Sequence, residues 1–441
     1  MVFTAAHLAP VSAEFNRARR LYVGYSGGLD SHVLLHALVA LRGPLGITAL
    51  HINHQLSLHA QTWAGHCRQT CADLGVAYVE EAVTVVAQGD GLENAARQLR
   101  YAVFERYVGE GDLLLLGHHA DDQSETVLFR LLRAAGPGGL AGIPAARSLR
   151  AGALLRPLLG VTRAALRHYA SEQGLRWIED ESNQRLEFDR NYIRHQVVPV
   201  LAARWPDYAA RLTQSAARCG DAASLLRDLG DLDLRVLDER AERLGWSLDV
   251  RGLAALSDRR RDNVLRHWSV LKGLAPPGRG PLAAVSAELL GARRDASPLV
   301  CWHDGEWRRF RDRLYLVPGR RWRTRAITPL HWTSFPQPLR LADGSVIEAF
   351  KSHGAGLRVG AGQRLAIGVR AGGERCRPAG RSGSNTLKKL LQAQGLEPWL
   401  RDYVPLIYID GELAAVGDLW LCAGFCDPAG GWALRWQFPT A

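Results

Sequence analysis

The chain has 441 residues, 47% of them hydrophobic, so it is long enough for roughly two to four domains and apolar enough to bury their cores. A net charge of +11 indicates either a polyanionic partner such as nucleic acid or a surplus that aids solubility, and charge alone favours neither. The seven cysteines form no C-x-x-C pair, which argues against a zinc ribbon or a redox pair and favours free thiols.

The N-terminal segment has its apolar residues before its arginines, which is the wrong order for a signal peptide. The sequence contains no run of about 18 apolar residues, so it predicts no membrane span. We therefore expect a cytoplasmic protein that is not anchored in a membrane.

Residues 21 to about 145 alternate short apolar strands with amphipathic helices. The predicted strands are Leu21–Tyr25, Gly46–Asn53, Val76–Val83 and Asp112–Leu116. The predicted helices are His32–Leu41, Ala60–Leu74, Leu92–Val108 and Asp122–Leu132. This alternation predicts an α/β domain whose parallel sheet is covered on both faces. Ligands of such sheets bind at the carboxyl ends of the strands.

The rest of the chain predicts two further domains. Thr162 can cap a helix that runs to Gln173. Residues from about 207 to 295 are rich in Leu, Ala and Arg and predict helices, and strand signals return from about Leu299. We therefore predict a catalytic α/β domain over residues 1–206, a mainly helical domain over 207–325 and a small α+β domain over 326–441.

The first motif is the sequence SGGLDS, which lies between the first predicted strand and helix. Gly27 and Gly28 allow a tight turn, and the loop amides at the start of a helix form an anion site. The hydroxyls of Ser26 and Ser31 add donors, and Asp30 can hold a metal ion that bridges phosphates. The loop does not end in Gly-Lys-Ser/Thr, so it is not a Walker A loop. It predicts phosphate binding, and the alternative is an ordinary strand–helix turn.

The second motif is Gly117–Thr126, GHHADDQSET, which follows the fourth predicted strand. Its acids Asp122 and Glu125 open a helix, where negative charge is favourable, and they can hold an ammonium group. His118 can transfer protons near neutral pH. The alternatives are a cluster that caps the helix or a metal site, although adjacent residues rarely converge on one ion.

Two arginine pairs have helical spacing. Arg97 and Arg100 are three residues apart, whereas Arg190 and Arg194 are four apart. Either pair can face the phosphates of RNA or of a nucleotide. The alternative for the first pair is a solvated helix face.

A basic segment near the C-terminus, Arg375–Lys389, precedes Trp399 and Arg401. It indicates either contact with nucleic acid or a charged surface turn. Trp399 is expected in the core rather than as a platform for a base.

Ser26–Ser31 resembles the ATP signature of the pyrophosphatase-loop family, whose members release pyrophosphate while adenylating a substrate oxygen. This likeness alone leaves open tRNA thiolation, amidation of nucleotides or NAD precursors, and lysidine formation. Gly117–Thr126 is similar to the G-H-H-x-D-D-Q-x-E-T of the tRNA(Ile)-lysidine synthetases. Three further segments resemble that family: Glu93–Tyr101, Asp180–Asn183 with Arg190–His195, and Lys388–Arg401.

The resemblance implies ATP and Mg²⁺ as cofactors, and free L-lysine and tRNA(Ile) with a CAU anticodon as partners. The implied ATP-binding residues are Ser26, Gly27, Gly28, Leu29, Asp30, Ser31, His51 and Arg97. The implied catalytic residues are Asp30, His118, Asp122 and Glu125. The implied tRNA-binding residues are Arg100, Arg190, Arg194, Arg377, Arg381, Lys388, Lys389 and Arg401.

The amine of lysine must lose a proton before it can react, and His118 or Asp122 is the candidate base. The alternatives to lysidine formation are a tRNA thiolase of the same fold and a non-catalytic RNA-binding protein. A homodimer is left open.

Overall fold

The structure is a computed structural model. It describes residues 2–43, 46–86, 92–293, 296–319 and 329–438. The chain divides into two compact units, Met1–Leu225 and Leu226–Ala441. Three positions of the predicted motifs, Glu93, Ser182 and Asn183, have side chains outside the described part. No helix within the described ranges combines the length and the apolar character that crossing a membrane requires.

The strands of the first unit are β1 (Leu21–Gly24), β2 (Ile47–Asn53), β3 (Ala77–Ala82), β4 (Leu113–Leu115), β5 (Ala146–Leu149) and β6 (Gly152–Leu155). They form one sheet in the order β3-β2-β1-β4-β6-β5. Every neighbouring pair is parallel except the antiparallel β5–β6 hairpin. The predicted parallel sheet and its first four strands are therefore confirmed, whereas the sequence analysis does not predict the hairpin.

The helices of the first unit are α1 (Ser12–Arg17), α2 (Leu29–Arg42), α3 (Ala60–Asp73), α4 (Leu92–Tyr107), α5 (Ala120–Leu132), α6 (Pro137–Leu140), α7 (Arg163–Glu172), α8 (Asp189–Tyr192) and α9 (Val198–Arg204). Shorter helical turns are Ala5–Val11, Glu181–Gln184 and Ile193–Val197. The Thr162 hydroxyl accepts a hydrogen bond from the Ala165 amide at 3.3 Å. Thr162 is therefore the cap of α7, as predicted.

The central strands are apolar at every position because both faces of the sheet are covered. Leu21 and Val23 of β1 belong to a core cluster that includes Val33 of α2. Tyr22, between them, belongs to a different cluster with Phe104 of α4. Successive side chains of a strand alternate between the two faces, so this division follows directly from strand geometry. The carboxyl edge of β1 and β4 is thereby held rigidly between two packed layers.

A long helix, α10 (Tyr208–Val236), passes from the first unit into the second. The other helices of the second unit are α11 (Val250–Ala255), α12 (Asp258–Leu271), α13 (Arg279–Ala284) and α14 (Leu387–Gln394). Shorter helical turns are Val285–Leu290 and Pro398–Leu400.

The strands of the second unit are short, and among the described residues all of their pairings are antiparallel. They are β7 (Arg240–Ala241), β8 (Trp246–Asp249), β9 (Leu299–Cys301), β10 (Gly305–Phe310), β11 (Arg313–Pro318), β12 (Leu330–His331), β13 (Leu339–Arg340), β14 (Val346–Lys351), β15 (Gly356–Leu357), β16 (Leu365–Gly368), β17 (Arg375–Cys376), β18 (Asn385–Thr386), β19 (Leu406–Ile409), β20 (Glu412–Val416), β21 (Trp420–Leu421), β22 (Cys426–Asp427) and β23 (Trp432–Gln437). Their sheets run β7-β8-β11-β10-β9, β12-β16-β19-β20-β21, β13-β14-β23-β15-β22 and β17-β18.

The first of these sheets takes β7 and β8 from the stretch for which the sequence predicts helices, whereas its other three strands lie from Leu299 onward, where the sequence predicts strands. It packs with α11, α12 and α13 around the buried Trp268 and Trp307. The later sheets surround a second core that contains Trp332, Trp436 and Trp399. Trp399 is therefore a core residue, as predicted. All cysteines are free, and four of the seven are buried.

Candidate active site

The phosphate loop follows β1 and leads directly into α2. Gly27 has a φ of +79°, and a Cβ atom there would lie 2.5 Å from Ile178 Cδ1 and 2.6 Å from Cys67 Sγ. The left-handed backbone and the close packing therefore both require glycine. The Gly27 carbonyl also accepts a hydrogen bond from the Ile178 amide at 2.9 Å, which ties the loop to the segment after α7.

The two serines of the loop hold its shape. Their hydroxyl oxygens, Ser26 Oγ and Ser31 Oγ, are 3.1 Å apart, and the Ser31 hydroxyl donates to the Gly28 carbonyl at 3.1 Å. Gly28 is the residue that precedes α2, so the unpaired amides of the first helical turn begin at Leu29. Hydroxyls and amides beside the positive end of a helix are the groups that bind phosphate. This geometry supports the predicted phosphate site.

Asp30 lies in the first turn of α2 and has one oxygen available for a metal ion. Among the described residues, its buried Oδ1 has no hydrogen-bond partner. A carboxylate oxygen beside a phosphate loop is a ligand that Mg²⁺ takes together with substrate phosphates. The residues present therefore fit the Mg²⁺ that the resemblance implies. A metal site built from protein ligands alone is not supported, because no three His, Cys, Asp or Glu side chains of the described ranges are arranged to hold an ion.

The second motif meets the phosphate loop because β4 lies beside β1 in the sheet. Gly117 follows β4, and a Cβ atom there would lie 2.9 Å from the Asp30 carbonyl oxygen and 3.1 Å from the Ser31 amide nitrogen. The two backbones nearly touch, which is why this position requires glycine. The structure thus brings the two predicted motifs together at the carboxyl edge of the sheet.

His119 is buried between the two motifs and is surrounded by carboxylates. Its Nε2 is 3.5 Å from an oxygen of Asp30 and 3.5 Å from one of Asp122, and its Nδ1 is 3.6 Å from Asp121. Burial alone would lower the pKa of His119, but these carboxylates outweigh it and raise that pKa to about 10. The Asp122 amide lies 3.4 Å from Nδ1, a long contact that does not offset three negative charges. His119 is therefore a cation at neutral pH.

Asp121 connects this cluster to two further helices. Its Oδ2 accepts a hydrogen bond from the Arg163 amide at 2.7 Å, and its Oδ1 accepts one from the Tyr208 hydroxyl at 3.0 Å. Burial would raise the pKa of Asp121, but His119 and these hydrogen bonds lower it to about 2. Arg163 begins α7 and Tyr208 begins α10, so one carboxylate fixes the start of both helices at the site.

Two acids and two arginines form what we call the acid pocket, defined as Asp122, Glu125, Arg190 and Arg194. Glu125 is 2% exposed, and its carboxylate accepts hydrogen bonds from Arg190 Nε at 3.1 Å and from Arg194 Nε at 2.6 Å. Asp122 Oδ1 is 3.3 Å from Nη2 of each arginine. Burial would raise the pKa of Asp122, but His119 and Arg190 lower it. The two negative and two positive charges of the acid pocket therefore balance.

The resemblance assigns Arg190 and Arg194 to tRNA binding, yet both guanidinium groups are engaged inside the acid pocket. Their side chains are 33% and 21% exposed, respectively, and their charges are already paired with carboxylates. The placement therefore favours a role in the pocket over contact with RNA phosphates.

His118 lies beside the acid pocket and is held by a buried arginine. Arg156 Nε donates to His118 Nδ1 at 3.2 Å, and Arg156 Nη2 donates to the Tyr101 hydroxyl at 3.1 Å. Burial lowers the pKa of His118 to about 3, and the nearby arginines, Arg156 first among them, add to the effect. His118 is therefore neutral, in contrast to its neighbour His119.

The remaining predicted nucleotide-binding residues lie on the same unit. His51, at the carboxyl end of β2, is buried, and its Nδ1 donates to the Tyr25 carbonyl at 2.9 Å. Burial lowers the pKa of His51, so its ring is neutral and Nε2 is an acceptor that suits an amino group such as that of adenine. Arg97 is exposed and lies over the Tyr101 ring at 5.2 Å, and exposed Arg100 is 3.4 Å from His54 Nε2.

The predicted C-terminal contacts lie in the second unit. Four of them are exposed cations on or beside the β17–β18 pair and α14: Arg377, Arg381, Lys388 and Lys389. The fifth, Arg401, is half-buried, and its Nε donates to the Leu396 carbonyl at 2.9 Å. Exposed cations suit contact with RNA phosphates, whereas the guanidinium group of Arg401 is partly used within the fold.

Four residues at the site are absent from the sequence-based assignments: His119, Asp121, Arg156 and Tyr208. His119 and Asp121 lie within the second motif, next to the assigned residues His118 and Asp122, so their position in the sequence could have identified them as site residues. Arg156 directly follows β6, which is parallel to β4. Its position at the carboxyl edge of a parallel sheet, where ligands bind, could have identified it. No motif or strand end in the sequence points to Tyr208.

Three known families match the chain. The family described as "PP-loop domain" matches residues 4–201, "TilS substrate binding domain" matches 248–315, and "TilS substrate C-terminal domain" matches 365–436. Each match falls within one of the three predicted domains, whose boundaries stay a prediction.

Three relatives that match this chain over nearly their whole length share one name. The chain is 40% identical to "tRNA(Ile)-lysidine synthase" of Coxiella burnetii over 96% of this chain and 94% of that one. It is 41% identical to the protein of that name from Alkalilimnicola ehrlichii, over 90% and 89% of the two chains. For the Pseudomonas syringae protein the identity is 40%, over 99% and 96%. This chain, with its phosphate loop and its acid pocket, belongs to the tRNA(Ile)-lysidine synthase family.

Proposed function

We propose that this chain ligates free L-lysine to the wobble cytidine of the CAU anticodon of tRNA(Ile), with ATP converted to AMP and pyrophosphate. The observation that carries the proposal is the position of His119, 3.5 Å from Asp30 of the phosphate loop and 3.5 Å from Asp122 of the acid pocket. A site for the nucleotide and a site for a charged amino acid thereby share one buried cation. The family membership supports the same reaction.

In the first step, the ATP phosphates bind to the loop Ser26–Ser31, and His51 and Arg97 bind the rest of the nucleotide. The cytidine O2 attacks the α-phosphorus, the bond to the β-phosphate breaks, and pyrophosphate leaves. Asp30 would hold Mg²⁺ together with the phosphates, and the ion would neutralise part of their negative charge. The products of this step are an adenylated cytidine and pyrophosphate.

In the second step, the ε-amine of lysine attacks C2 of the adenylated base, and AMP departs with the former O2. The carboxylates of Asp122 and Glu125 can hold an ammonium group, and Arg190 and Arg194 can hold a carboxylate. The acid pocket thus matches the two charged groups of a free amino acid. The amine must lose its proton before it attacks, and the candidate acceptors are His118 and Asp122. The product pairs with adenine, which changes codon reading from AUG to AUA.

The tRNA is bound by Arg100 of the first unit and by the exposed cations of the second, Arg377, Arg381, Lys388 and Lys389. Specificity then comes mainly from the shape of the tRNA and from phosphate contacts. Residues 1–206 form the catalytic domain, and 207–325 and 326–441 form tRNA-binding domains. The protein acts in the cytoplasm, and a homodimer is compatible with this scheme.

Of the two alternatives, a thiolase usually needs a reactive cysteine pair or an iron–sulfur site, and the sequence has no C-x-x-C. A non-catalytic RNA-binding protein would not need the intact set of Asp30, His119 and Asp122.

The decisive assay incubates the full chain with ATP, lysine and tRNA(Ile) and measures AMP and modified tRNA. We expect AMP only when a tRNA with a wobble cytidine is present, and modified nucleotide only when lysine is added as well. A matched tRNA with uridine at the wobble position is the control and should give neither product. A sulfur-dependent product would favour the thiolase, and the absence of AMP would favour the binding protein.

A further inference from the structure

Arg156 is a buried cation whose hydrogen bonds all converge at the carboxyl edge of the first sheet. It directly follows β6 and is 4% exposed. Its Nη1 donates to the Pro144 carbonyl at 2.7 Å, its Nη2 to the Tyr101 hydroxyl at 3.1 Å, and its Nε to His118 Nδ1 at 3.2 Å. Each of the three nitrogen atoms of this guanidinium group therefore donates a hydrogen bond, and Nε donates to His118, one of the two candidate bases.

The contact between Arg156 and His118 determines where the imidazole proton lies. A guanidinium group has only donors and is not deprotonated in proteins, so the ring nitrogen that it faces must be the acceptor. Nδ1 of His118 therefore has a lone pair, and the single proton of the neutral ring is on Nε2. A second proton on Nδ1 would point at the Arg156 Nε–H and would place two positive charges in contact.

The groups around His118 keep the ring neutral. Burial is the largest cause that lowers the pKa of His118, and Arg156, Arg190 and Arg97 lower it further, whereas Asp122 raises it. The net result is a pKa of about 3, far below the pH at which such enzymes work. Within the described part of the chain, Nε2 has no hydrogen-bond partner, and the side chain is only half-buried. The N–H group at Nε2 is thus available to a ligand.

We propose that Arg156 is a positioning residue that fixes His118 as a neutral Nε2–H donor, and that His118 donates this hydrogen bond to an oxygen of the ATP α-phosphate instead of accepting a proton from lysine. The inference rests on the proposed function for the identity of that oxygen, which carries negative charge in both steps. A preorganised donor aimed at such an oxygen lowers the barrier. Of the two candidate bases, Asp122 then remains.

The first test needs none of the three substrates. Nitrogen NMR of the full chain with labelled histidine reports which ring nitrogen of His118 carries the proton, and the signal is assigned by its loss in His118→Gln. We expect one tautomer, protonated at Nε2, that does not titrate between about pH 5.5 and 8.5. A proton on Nδ1, or titration near the ordinary histidine pKa of about 6.5, would overturn the proposal.

The second test compares His118→Gln with His118→Ala in single-turnover transfer of lysine to pre-adenylated tRNA. Glutamine keeps an N–H donor but cannot act as a base, whereas alanine has neither property. Loss of one such donor costs roughly 100- to 1000-fold in rate. We expect the alanine variant to show this loss, and the glutamine variant to stay within about tenfold of wild type with the same pH profile. Equal loss in both variants, or a changed pH profile in the glutamine variant, would refute the donor role.

The third test addresses Arg156 itself. In Arg156→Met we expect the pKa of His118 to rise, its tautomers to mix and the transfer rate to fall, with the KM for ATP unchanged. Arg147→Met is the matched control, because exposed Arg147 lies 4.4 Å from the centre of the same Tyr101 ring and makes no hydrogen bond to His118. The His118 signal should not change in this control. A His118 signal that is unchanged in Arg156→Met as well would contradict the positioning role.

These outcomes separate the inference from the function on which it rests. The NMR measurement on the wild-type chain reads the tautomer even if Arg156→Met does not fold. If the wild-type chain forms no lysidine, the proposed function fails, while the tautomer of His118 is still decided by its spectrum.

Discussion

Replacing Glu125 by glutamine tests the acid pocket most directly, because the change keeps the shape of the side chain and removes one buried charge. The carboxylate is 2% exposed and accepts three hydrogen bonds, one from Arg190 and two from Arg194. In Glu125→Gln both guanidinium groups lose their main partner, and the amide NH₂ of glutamine faces other donors. The pocket is then left with excess positive charge.

The magnitude follows from burial. Breaking a fully buried ion pair by removing one partner costs about 3–5 kcal/mol. Arg190 and Arg194 are 33% and 21% exposed, so water compensates part of the loss, and Asp122 stays 3.3 Å from both. We therefore expect a loss of about 2–3 kcal/mol in the free energy of unfolding. For a unit of this size that corresponds to a midpoint lower by roughly 4–12 °C.

Differential scanning calorimetry of the full chain measures this change, with Glu172→Gln as the control. Glu172 is 52% exposed and, among the residues that the structure describes, pairs only with exposed His168 at 3.4 Å, so the midpoint of Glu172→Gln should change little. Lysine should also bind more weakly to Glu125→Gln, while the affinity for ATP stays the same. A midpoint of Glu125→Gln equal to that of the control would show that the ion pairs of the acid pocket do not form.

Three further predictions follow from the site. Asp30→Ala should reduce adenylation at least about 100-fold because an anionic ligand for the metal is lost, with tRNA affinity unchanged in a filter-binding assay; full activity would refute the metal role. Lys388→Glu combined with Lys389→Glu should weaken tRNA binding and reduce the slope of log affinity against log salt by about 2, and an unchanged slope would remove both residues from the RNA contact. The folded pKa of His119 lies above its unfolded value, so its contribution to stability is complete below about pH 6.5 and is lost as the pH rises towards 10. Urea unfolding of His119→Gln should therefore depend less on pH than wild type between pH 7 and 10, and parallel curves would contradict a charged His119.

The sheet of the first unit was predictable because burial on both faces leaves a plain signature. The strands β1 and β4 are continuous apolar runs, and each is followed by a glycine-containing segment with polar residues. Parallel strands end at a common edge, so the meeting of the two motifs could be predicted from topology alone. In the first sheet of the second unit, β7 and β8 could not be predicted, since β7 has two residues and β8 four, too short for a periodic pattern. The longer β10 and β11 of the same sheet lie where strand signals return.

The side-chain partners within the site were less predictable for a different reason. Helical spacing correctly aligned Arg190 and Arg194 on one face, but spacing does not say what that face meets. Their partner Glu125 is 65 and 69 residues away in sequence, and only the folded chain brings them together. The same holds for Arg156 and His118, which are 38 residues apart. Opposite charge states of the adjacent histidines likewise follow from their surroundings and not from their sequence.

The measurement that tests the whole scheme most directly follows the wobble oxygen. A tRNA(Ile) whose wobble cytidine carries a heavy-oxygen label at O2 is incubated with the full chain, ATP and lysine, and the products are analysed by mass spectrometry. If cytidine is adenylated at O2 and lysine displaces AMP, the label must be found in the AMP and must be absent from the modified tRNA. Label retained in the tRNA or found in pyrophosphate would contradict the reaction assigned to this site.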